Sequence, residues 1–372
     1  MTDPAYLHQQ LLDRLTAVGV LRTKPWKSAA GSVPRHEFLR GGFFRYVAGT
    51  SPGAWTPVLD ADTGWLEACY RDESLVTQIA GTVLPADIRG QIMRAPTSSS
   101  TLPSLVLRML EELQVDPGAK VLEIGTGTGY STGLLCARLG EELVTSVEYD
   151  EVVASRARAA LARQDMFPTS VTGDGLLGHP ASAPYDRIIA TCGVRTVPAA
   201  WIEQVRPGGL ILATIGGWLD SSELARLTVH DDGSASGLLL GGQVSFMLAR
   251  PHLPPHLGLL PDLDDGKERQ AVFGSDMLAD WTTRFVVQLA APNAQRLTIE
   301  RAGHTEDVLI DVASGSWAAL YEDAGRWIVR QDGPEALWDT VEEQLRRWHT
   351  AGAPALEEFT VTVTPDGQTI HW

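Results

Sequence analysis

The sequence predicts an α/β fold built on a parallel, doubly wound sheet, with further elements before and after it. Between residues 101 and 250, apolar runs of strand length alternate with helical patterns of ten or more residues. This alternation is typical of strand–helix–strand units in a parallel sheet. The stretch VLEIGTGTGY (121–130) adds a glycine-rich turn between a strand and a helix. A second, strand-rich pattern follows a Pro- and Gly-rich segment.

The chain has 372 residues, more than one ordinary domain, and the sequence predicts four parts. Residues 1–100 form an N-terminal cap, with an amphipathic helix at Tyr6–Leu21 and, beyond it, irregular structure with short helices and strands. Residues 101–250 form the doubly wound sheet, and 251–266 form a linker. Residues 267–372 form an α+β domain, whose six tryptophans belong mainly to its core, although one or two could line a peptide groove.

Each element is predicted from its periodicity and its turn residues. The sheet region gives, in order, helix 102–113, strand 119–125, helix 130–140, strand 143–150, helix 151–164, strand 169–173, strand 185–191, helix 197–205, strand 208–216, and an antiparallel pair at 223–233 and 241–251. The C-terminal region gives strands 284–290, 296–301, 307–312 and 326–331, helix 334–348, and two short strands around the Pro-Asp-Gly turn of 359–372.

Composition excludes several functional classes. The formal net charge is −16, so few surplus cations are available to bind nucleic acid or an anionic membrane. The three cysteines are far apart, which predicts neither disulfides nor a thiolate metal site, and His252 and His256 lack nearby ligands. No signal peptide and no apolar run of about 18 residues is present. We therefore expect a metal-free cytoplasmic protein.

The glycine spacing indicates which cofactor the turn binds. Gly125, Gly127 and Gly129 lie where the chain turns sharply and a ligand approaches the backbone. Glu148 closes the next strand about 20 residues later, where an acid commonly accepts hydrogen bonds from ribose. A dinucleotide site would have G-x-G-x-x-G, whereas this sequence has G-x-G-x-G with Glu123 two residues before it. This pattern favours S-adenosylmethionine, a cationic ligand without pyrophosphate, over NAD(P), which remains a minor alternative.

The sequence therefore predicts a class I S-adenosylmethionine-dependent methyltransferase with a Rossmann-like sheet. Asp174, in the GDG that ends a further strand, is placed near the adenine, although G-D-G also makes a plain turn. Glu148 could likewise be only a surface charge. The predicted cofactor-binding residues are Ser99, Glu123, Gly125, Thr126, Gly127, Thr128, Gly129, Tyr130, Glu148, Tyr149, Asp174 and Gly175.

With these motifs in hand, the sequence resembles the protein-L-isoaspartate O-methyltransferase family over roughly residues 30–216. The resemblance is carried by VPRHEFL (33–39), LPSLVLRMLEEL (102–113), the glycine-loop block, SVEYDEVVASRARAAL, GDG and YDRIIATCGV. It implies that a hydroxyl two residues before Pro103 acts at the substrate carboxylate. That position is Thr101, with Ser100 as the alternative catalytic hydroxyl. Both could instead serve only as a helix cap.

Two departures from the family pattern refine the expected function. About 20 residues (79–98) intervene before the hydroxyl cluster, and more than 100 follow the sheet region. This architecture resembles the family's branch associated with ribosomally synthesised peptides in graspetide and lanthipeptide clusters. That resemblance implies methylation of an Asp or isoAsp carboxylate in a cyclised precursor peptide, with the ester collapsing to an aspartimide and sometimes opening to isoaspartate. The alternatives are general isoaspartate repair and a non-catalytic peptide-binding module.

Overall fold

A computed structural model describes residues 3–49 and 53–372. The N-terminal part contains a small antiparallel sheet flanked by helices. Its elements are α1 (Pro4–Ala17), α2 (Lys24–Ser32), β1 (Phe43–Val47), β2 (Ala54–Val58), α3 (Trp65–Cys69), β3 (Leu75–Ile79) and β4 (Pro96–Ser100). The strand order is β2-β1-β3-β4, with antiparallel pairing throughout. Phe44, Val76 and Ile79 form its apolar centre, so the predicted irregular cap contains an ordered sheet.

The next part is the predicted doubly wound sheet, and the fold class is confirmed. Its elements are α4 (Pro103–Glu112), β5 (Val121–Ile124), α5 (Tyr130–Leu139), β6 (Val144–Glu148), α6 (Glu151–Ala162), β7 (Thr169–Thr172), β8 (Tyr185–Val194), α7 (Ala199–Gln204) and β9 (Val205–Gly216). The strand order is β9-β8-β5-β6-β7, and β5 pairs in parallel with both β6 and β8. The order reverses beside β5, and ligands bind at the carboxyl ends of strands at such a reversal.

The remaining elements form strand-rich structure. They are β10 (Ser222–Val229), β11 (Ala235–Leu239), β12 (Lys267–Gln270), α8 (Trp281–Ala290), β13 (Ala294–Arg301), β14 (His304–Asp311), β15 (Trp317–Asp323), β16 (Arg326–Asp332), α9 (Leu337–Thr350), β17 (Thr360–Thr364) and β18 (Gly367–His371). Strands β12-β16-β15-β14-β13 make an antiparallel sheet around Val308 and Trp317. Strands β10, β11, β17 and β18 extend the sheet of β5–β9 beyond β9, in the order β18-β17-β11-β10-β9. The strand pair around the Pro-Asp-Gly turn is confirmed.

Two element predictions are wrong. The segment 284–290 was expected to be a strand but lies in α8, because Asp280 caps the helix by accepting from the Thr283 amide at 2.8 Å. Its apolar run buries Phe285, Val286 and Val287 in a helix instead. The strand expected at 241–251 is irregular, and the strand in this region is β11 at Ala235–Leu239.

The domain boundaries at 100, 250 and 266 stay predictions, and the chain divides into two compact units. One unit comprises the chain up to Thr191 together with Pro198–Leu212 and Thr228–Ser234, and the other comprises the rest. The predicted linker lies within the second unit, where Leu263 is buried against the β13–β15 sheet. Moreover, β11 pairs with β17, so strands on both sides of residues 251–266 share one ladder.

Candidate active site

The glycine loop between β5 and α5 adopts a backbone that other residues rarely take. Gly125, Gly127 and Gly129 have φ of +95°, +55° and +87°, in the left-handed region that disfavours a Cβ. A Cβ on Gly125 would also lie 2.9 Å from the Thr191 hydroxyl. That hydroxyl donates to the carbonyls of Ile124 and Gly125 at the end of the strand. Conformation and contact therefore both require glycine at the first position.

Glu123 supports this loop from inside the protein. Its side chain is fully buried, and its carboxylate accepts hydrogen bonds from the hydroxyls of Ser131, Thr132 and Ser146. Burial raises the pKa of Glu123, while the three hydroxyl donors oppose that rise. The carboxylate thereby connects β5 to the first turn of α5 and to β6. It was expected to face a cationic ligand, whereas both of its oxygens are engaged by these hydroxyls.

Glu148 ends β6 directly beside the loop. One carboxylate oxygen accepts from the Gly127 amide at 2.9 Å, and the other accepts from the Asp150 amide at 3.1 Å. Burial raises the pKa of the Glu148 carboxyl above its ordinary value. Asp150 in turn caps α6, accepting from the amides of Val152 and Val153. The acid predicted from spacing therefore contacts the second glycine of the loop.

The GDG turn follows β7 at the same edge of the sheet. The Gly173 amide donates to the Glu148 carbonyl at 2.8 Å, and Asp174 accepts from the Leu176 amide at 2.9 Å. A Cβ on Gly175 would lie 2.5 Å from the Ile124 side chain. Trp201, which sequence reasoning missed, donates to the Gly175 carbonyl at 2.8 Å. An indole thus fixes the turn, and only its position in a buried helical pattern could have indicated it.

The remaining predicted cofactor residues lie around the loop with different exposures. Thr126 and Tyr130 are buried, and the Tyr130 ring packs edge-on against Phe38 with centroids 5.8 Å apart. Thr128 is half-buried and borders a small cavity, whereas Tyr149 is 51% exposed. These four residues surround the loop at several depths, so they are not equivalent candidates for ligand contact.

The serine-rich stretch lies against the glycine loop. Along β4, Ser98 and Ser100 are buried and Ser99 is half-buried, as expected from the alternating sides of a strand. The Ser99 carbonyl is 3.4 Å from the position of a Cβ on Gly127. The hydroxyl cluster and the glycine loop, predicted from separate motifs, are therefore neighbours in the same unit.

Thr101 follows β4 and precedes α4 without capping that helix. Leu102 is the N-cap residue and makes no side-chain capping bond. Asp72 accepts from the Ser104 amide at 2.8 Å, and Ser74 accepts from the Leu102 amide at 3.1 Å. Asp72 and Ser74 therefore cap this helix, and Thr101 does not. Ser100 differs from Thr101 because its hydroxyl accepts from Arg35 at 3.4 Å.

Two negative findings concern only residues 3–49 and 53–372. No helix in these ranges is both long and apolar enough to cross a bilayer. Nor do these residues contain a group of three His, Cys, Asp or Glu side chains placed to hold a metal ion. His252, one of the two linker histidines, instead accepts from the Arg195 amide at 3.1 Å.

A sheet in this order, with a glycine loop after its central strand and an acid closing the next strand, defines a class I S-adenosylmethionine-dependent methyltransferase. Residues 76–244 match the family described as "Protein-L-isoaspartate(D-aspartate) O-methyltransferase (PCMT)". The protein-L-isoaspartate O-methyltransferase of Methanopyrus kandleri is 31% identical over 211 residues, which cover 56% of this chain and 76% of that protein. The Methylibium petroleiphilum protein of that name is 31% identical over 64% of this chain and 74% of its own length.

The chain belongs to the protein-L-isoaspartate O-methyltransferase family. A solved structure of a protein-L-isoaspartate O-methyltransferase matches its fold with a TM-score of 0.56 and 23% identity. That match covers 98% of this chain and 99% of the other, so the strand-rich C-terminal region has a counterpart there. The chain is thus a carboxyl O-methyltransferase that uses S-adenosylmethionine, as the sequence predicted.

Proposed function

We propose that this methyltransferase acts on an Asp or isoAsp carboxylate of a ribosomally synthesised, modified peptide. The methyl ester formed there collapses to an aspartimide, which can open to isoaspartate. The observation that carries this proposal is the ordered segment 79–98, which leads directly into the hydroxyl cluster. It supports a substrate larger than a single damaged residue, because it adds surface to the N-terminal sheet, whose strand β4 leads into Thr101.

The segment 79–98 is integrated into the N-terminal sheet. Ile79 bridges Val83, and Ile92 bridges Trp55 through backbone hydrogen bonds of 2.9 Å in each direction. The side chains of Val83, Ile88, Ile92 and Trp55 pack against the apolar centre of the sheet. Met93 on this segment and Tyr46 on β1 leave 61% and 53% of their surfaces exposed. These rigidly supported apolar groups can contact a peptide beyond the methylated residue.

The chemistry requires alignment more than acid–base catalysis. S-adenosylmethionine supplies a methyl group on a sulfonium, and the substrate carboxylate is already ionised near pH 7. In our proposal the Thr101 hydroxyl, with Ser100 beside it, donates a hydrogen bond to one carboxylate oxygen and orients the other. The glycine loop and Glu148 hold the cofactor, and Glu123 fixes that loop indirectly through its three hydroxyl partners. Such alignment is worth up to roughly 7–11 kcal/mol.

The second step uses only substrate atoms. The amide nitrogen after the esterified residue attacks the ester carbonyl, loses its proton and expels methanol, closing a five-membered imide. Because methoxide leaves far more readily than the oxide of a carboxylate, methylation alone triggers this closure. No side chain of the enzyme is needed as a nucleophile, which agrees with a site made of hydroxyls and glycines.

General repair of protein isoaspartate is the second candidate. It is favoured by the fold match that extends over nearly the whole chain, C-terminal region included, to a protein-L-isoaspartate O-methyltransferase. The C-terminal region by itself therefore does not distinguish peptide biosynthesis from repair. The distinction depends on the substrate surface beside Thr101.

The test compares two substrates at equal concentration with purified enzyme and S-adenosylmethionine. One is a short linear isoaspartyl peptide, and the other is a ring-containing precursor peptide with an Asp in the ring region. Mass spectrometry follows the gain of one methyl group and the later net loss of one water. We expect the precursor to be turned over at least about tenfold faster. Faster turnover of the linear peptide would establish repair instead, and cofactor binding without any mass change would establish a non-catalytic binding module.

A further inference from the structure

The Arg35 side chain lies directly behind the hydroxyl cluster. It starts the short 3-10 helix Arg35–Leu39, and none of its surface is exposed. Its guanidinium donates to five backbone carbonyls, those of Cys69, Arg71, Glu73, Ser100 and Thr101, at distances of 2.9 to 3.2 Å. Its Nε also donates to the Ser100 hydroxyl. One side chain therefore ties three segments together at the site proposed for the substrate carboxylate.

The charge of Arg35 is unusual for so deep a position. Within the part of the chain that the structure describes, every hydrogen bond of this guanidinium goes to a carbonyl or a hydroxyl, none to a carboxylate. Burial lowers the pKa of Arg35, while Asp72 and Glu73 act on it only through space. An arginine nevertheless stays protonated at physiological pH. The hydroxyl cluster therefore lies against a buried positive charge whose hydrogen bonds go to dipoles, with the Asp72 and Glu73 carboxylates acting on it from a distance.

The direction of these hydrogen bonds orients the backbone at Thr101. The carbonyl of Ser100 points at Arg35, and in a trans peptide the following N–H points the opposite way. The Thr101 amide therefore faces away from the guanidinium, and its dipole is strengthened by the charge at the carbonyl end. The amide and the buried cation thus both favour a negative group on the far side of Thr101.

We propose that Arg35 is a positioning residue for the methyl acceptor: it fixes Ser100 and Thr101, and its charge selects a carboxylate over a neutral group. This inference rests on the proposed role of Thr101 but holds for either peptide substrate. A purely structural arginine would hold the same three segments without affecting the choice between an acid and an amide. Selectivity for the charged group therefore separates the two roles.

The chain offers a matched control in Arg187. Its side chain is also buried, at 7% exposed, and it donates to the carbonyls of Leu113, Gln114 and Asp186. It pairs with Val121 at the start of β5, at the opposite end of the strand from the glycine loop. Arg187→Lys therefore imposes a comparable loss of backbone hydrogen bonds far from Thr101.

The experiment measures binding of an isoaspartyl peptide, and of the same peptide with its free α-carboxylate converted to an amide, to enzyme saturated with S-adenosylhomocysteine. We expect the wild-type chain to prefer the acid by about tenfold or more, as for a charge-assisted hydrogen bond. In Arg35→Lys the preference should persist at pH 7 and fall at least about threefold by pH 9. This is expected because the carbonyl acceptors offset part of the burial effect, so that the lysine pKa falls by about 2 units from its ordinary value, and the cation present at pH 7 is lost by pH 9. Arg187→Lys should retain the wild-type preference at both pH values.

Equal binding of acid and amide by the wild type, a pH-independent preference in Arg35→Lys, or loss of the preference in Arg187→Lys would each overturn the inference. The proposed function is tested separately by turnover of the precursor peptide. An enzyme that repairs linear isoaspartyl peptides could still lose its acid preference with rising pH in Arg35→Lys. Failure of the proposed function is therefore distinguishable from failure of this inference.

Discussion

Thr101 is the residue on which the proposed acceptor site depends most directly. Thr101→Val keeps the shape of the side chain and removes the hydroxyl, so we expect turnover to fall about tenfold to a hundredfold, as for one lost hydrogen bond to a charged group. Thr101→Ser should retain turnover within about threefold, because the hydroxyl remains. Initial rates of methyl transfer provide the measurement, with S-adenosylhomocysteine affinity as the control that should not change. Full activity in Thr101→Val would shift the role to Ser100.

Glu148 gives the site a predictable pH dependence. Burial raises its pKa, so the carboxylate takes up a proton at a higher pH than an exposed glutamate would. In the proposed role of Glu148, protonation removes an acceptor for ribose hydroxyls, so S-adenosylhomocysteine should bind more weakly as the pH falls from 7 towards 5. Glu148→Gln should bind more weakly at pH 7 and show a flatter profile. Calorimetric titration at several pH values checks this, and an unchanged wild-type affinity at pH 5 would contradict it.

For single residues, the sequence indicated which side chains belong to the site but not which groups they hydrogen-bond to. The glycine spacing and the acid about 20 residues later constrain where Glu148 lies, because both sit at the ends of adjacent parallel strands. The environment of Glu123 was hidden, since its three hydroxyl donors are 8, 9 and 23 residues away along the chain. Arg35 was similarly hidden, because backbone carbonyls carry no sequence signal.

Among the secondary-structure elements, the glycine loop should tolerate no side chain at its first position. Gly125→Ala combines a φ of +95° with a 2.9 Å approach to the Thr191 hydroxyl, so we expect S-adenosylhomocysteine affinity to fall more than about tenfold. Gly118→Ala is the control, because its φ is +84° but a Cβ there meets nothing within 4 Å. It should lose about 1–2 kcal/mol of unfolding free energy and keep its affinity. Equal affinity losses in both variants would show that strain alone is responsible.

The start of α4 depends on a cap supplied from another segment. Asp72 accepts from the Ser104 amide, so Asp72→Ala should reduce the free energy of unfolding by about 1 kcal/mol and lower turnover by loosening Thr101. Asp3→Ala removes a similar cap from α1, where the Ala5 amide is the donor. Asp3→Ala should lower the free energy of unfolding by a similar amount and leave turnover unchanged. Denaturant titration and initial rates measured on both variants test this, and equal turnover in the two would remove Asp72 from the acceptor site.

Helices and strands were predictable where one pattern of apolar and turn residues determined them. The alternation of strands and helices in 101–216 gave the parallel sheet, because each apolar run was bounded by turn residues. The run FVVQLA was misread as a strand because valines favour strands locally, whereas the Asp280 cap and burial on one helical face determined the outcome. In the N-terminal region short strands were expected, but their bounds and their pairing into one sheet were not predicted, because β1–β4 are only five residues each.

The architecture of the whole chain is set by pairing between distant segments. Strand β11 is joined to β17 by an antiparallel ladder of four residue pairs, from Ala235↔Val363 to Leu238↔Thr360. Phe359, which directly precedes β17, is fully buried, and its carbonyl accepts from the Leu239 amide at 3.1 Å. The sequence could not show that β17 pairs with β11. The Pro- and Gly-rich segment 251–266 between them is as compatible with a packed loop as with a linker.

A fragment of residues 1–250 therefore tests the predicted boundary. It keeps β11 but loses β17, so it exposes an unpaired strand edge, and we expect it to aggregate and not to bind S-adenosylhomocysteine. The control is a full-length chain with a protease site inserted between Pro254 and Pro255, in an exposed stretch. After cleavage both strands remain present, so this chain should keep its circular dichroism and its affinity. A soluble 1–250 fragment with full-length affinity would instead establish the sheet region as an independent domain.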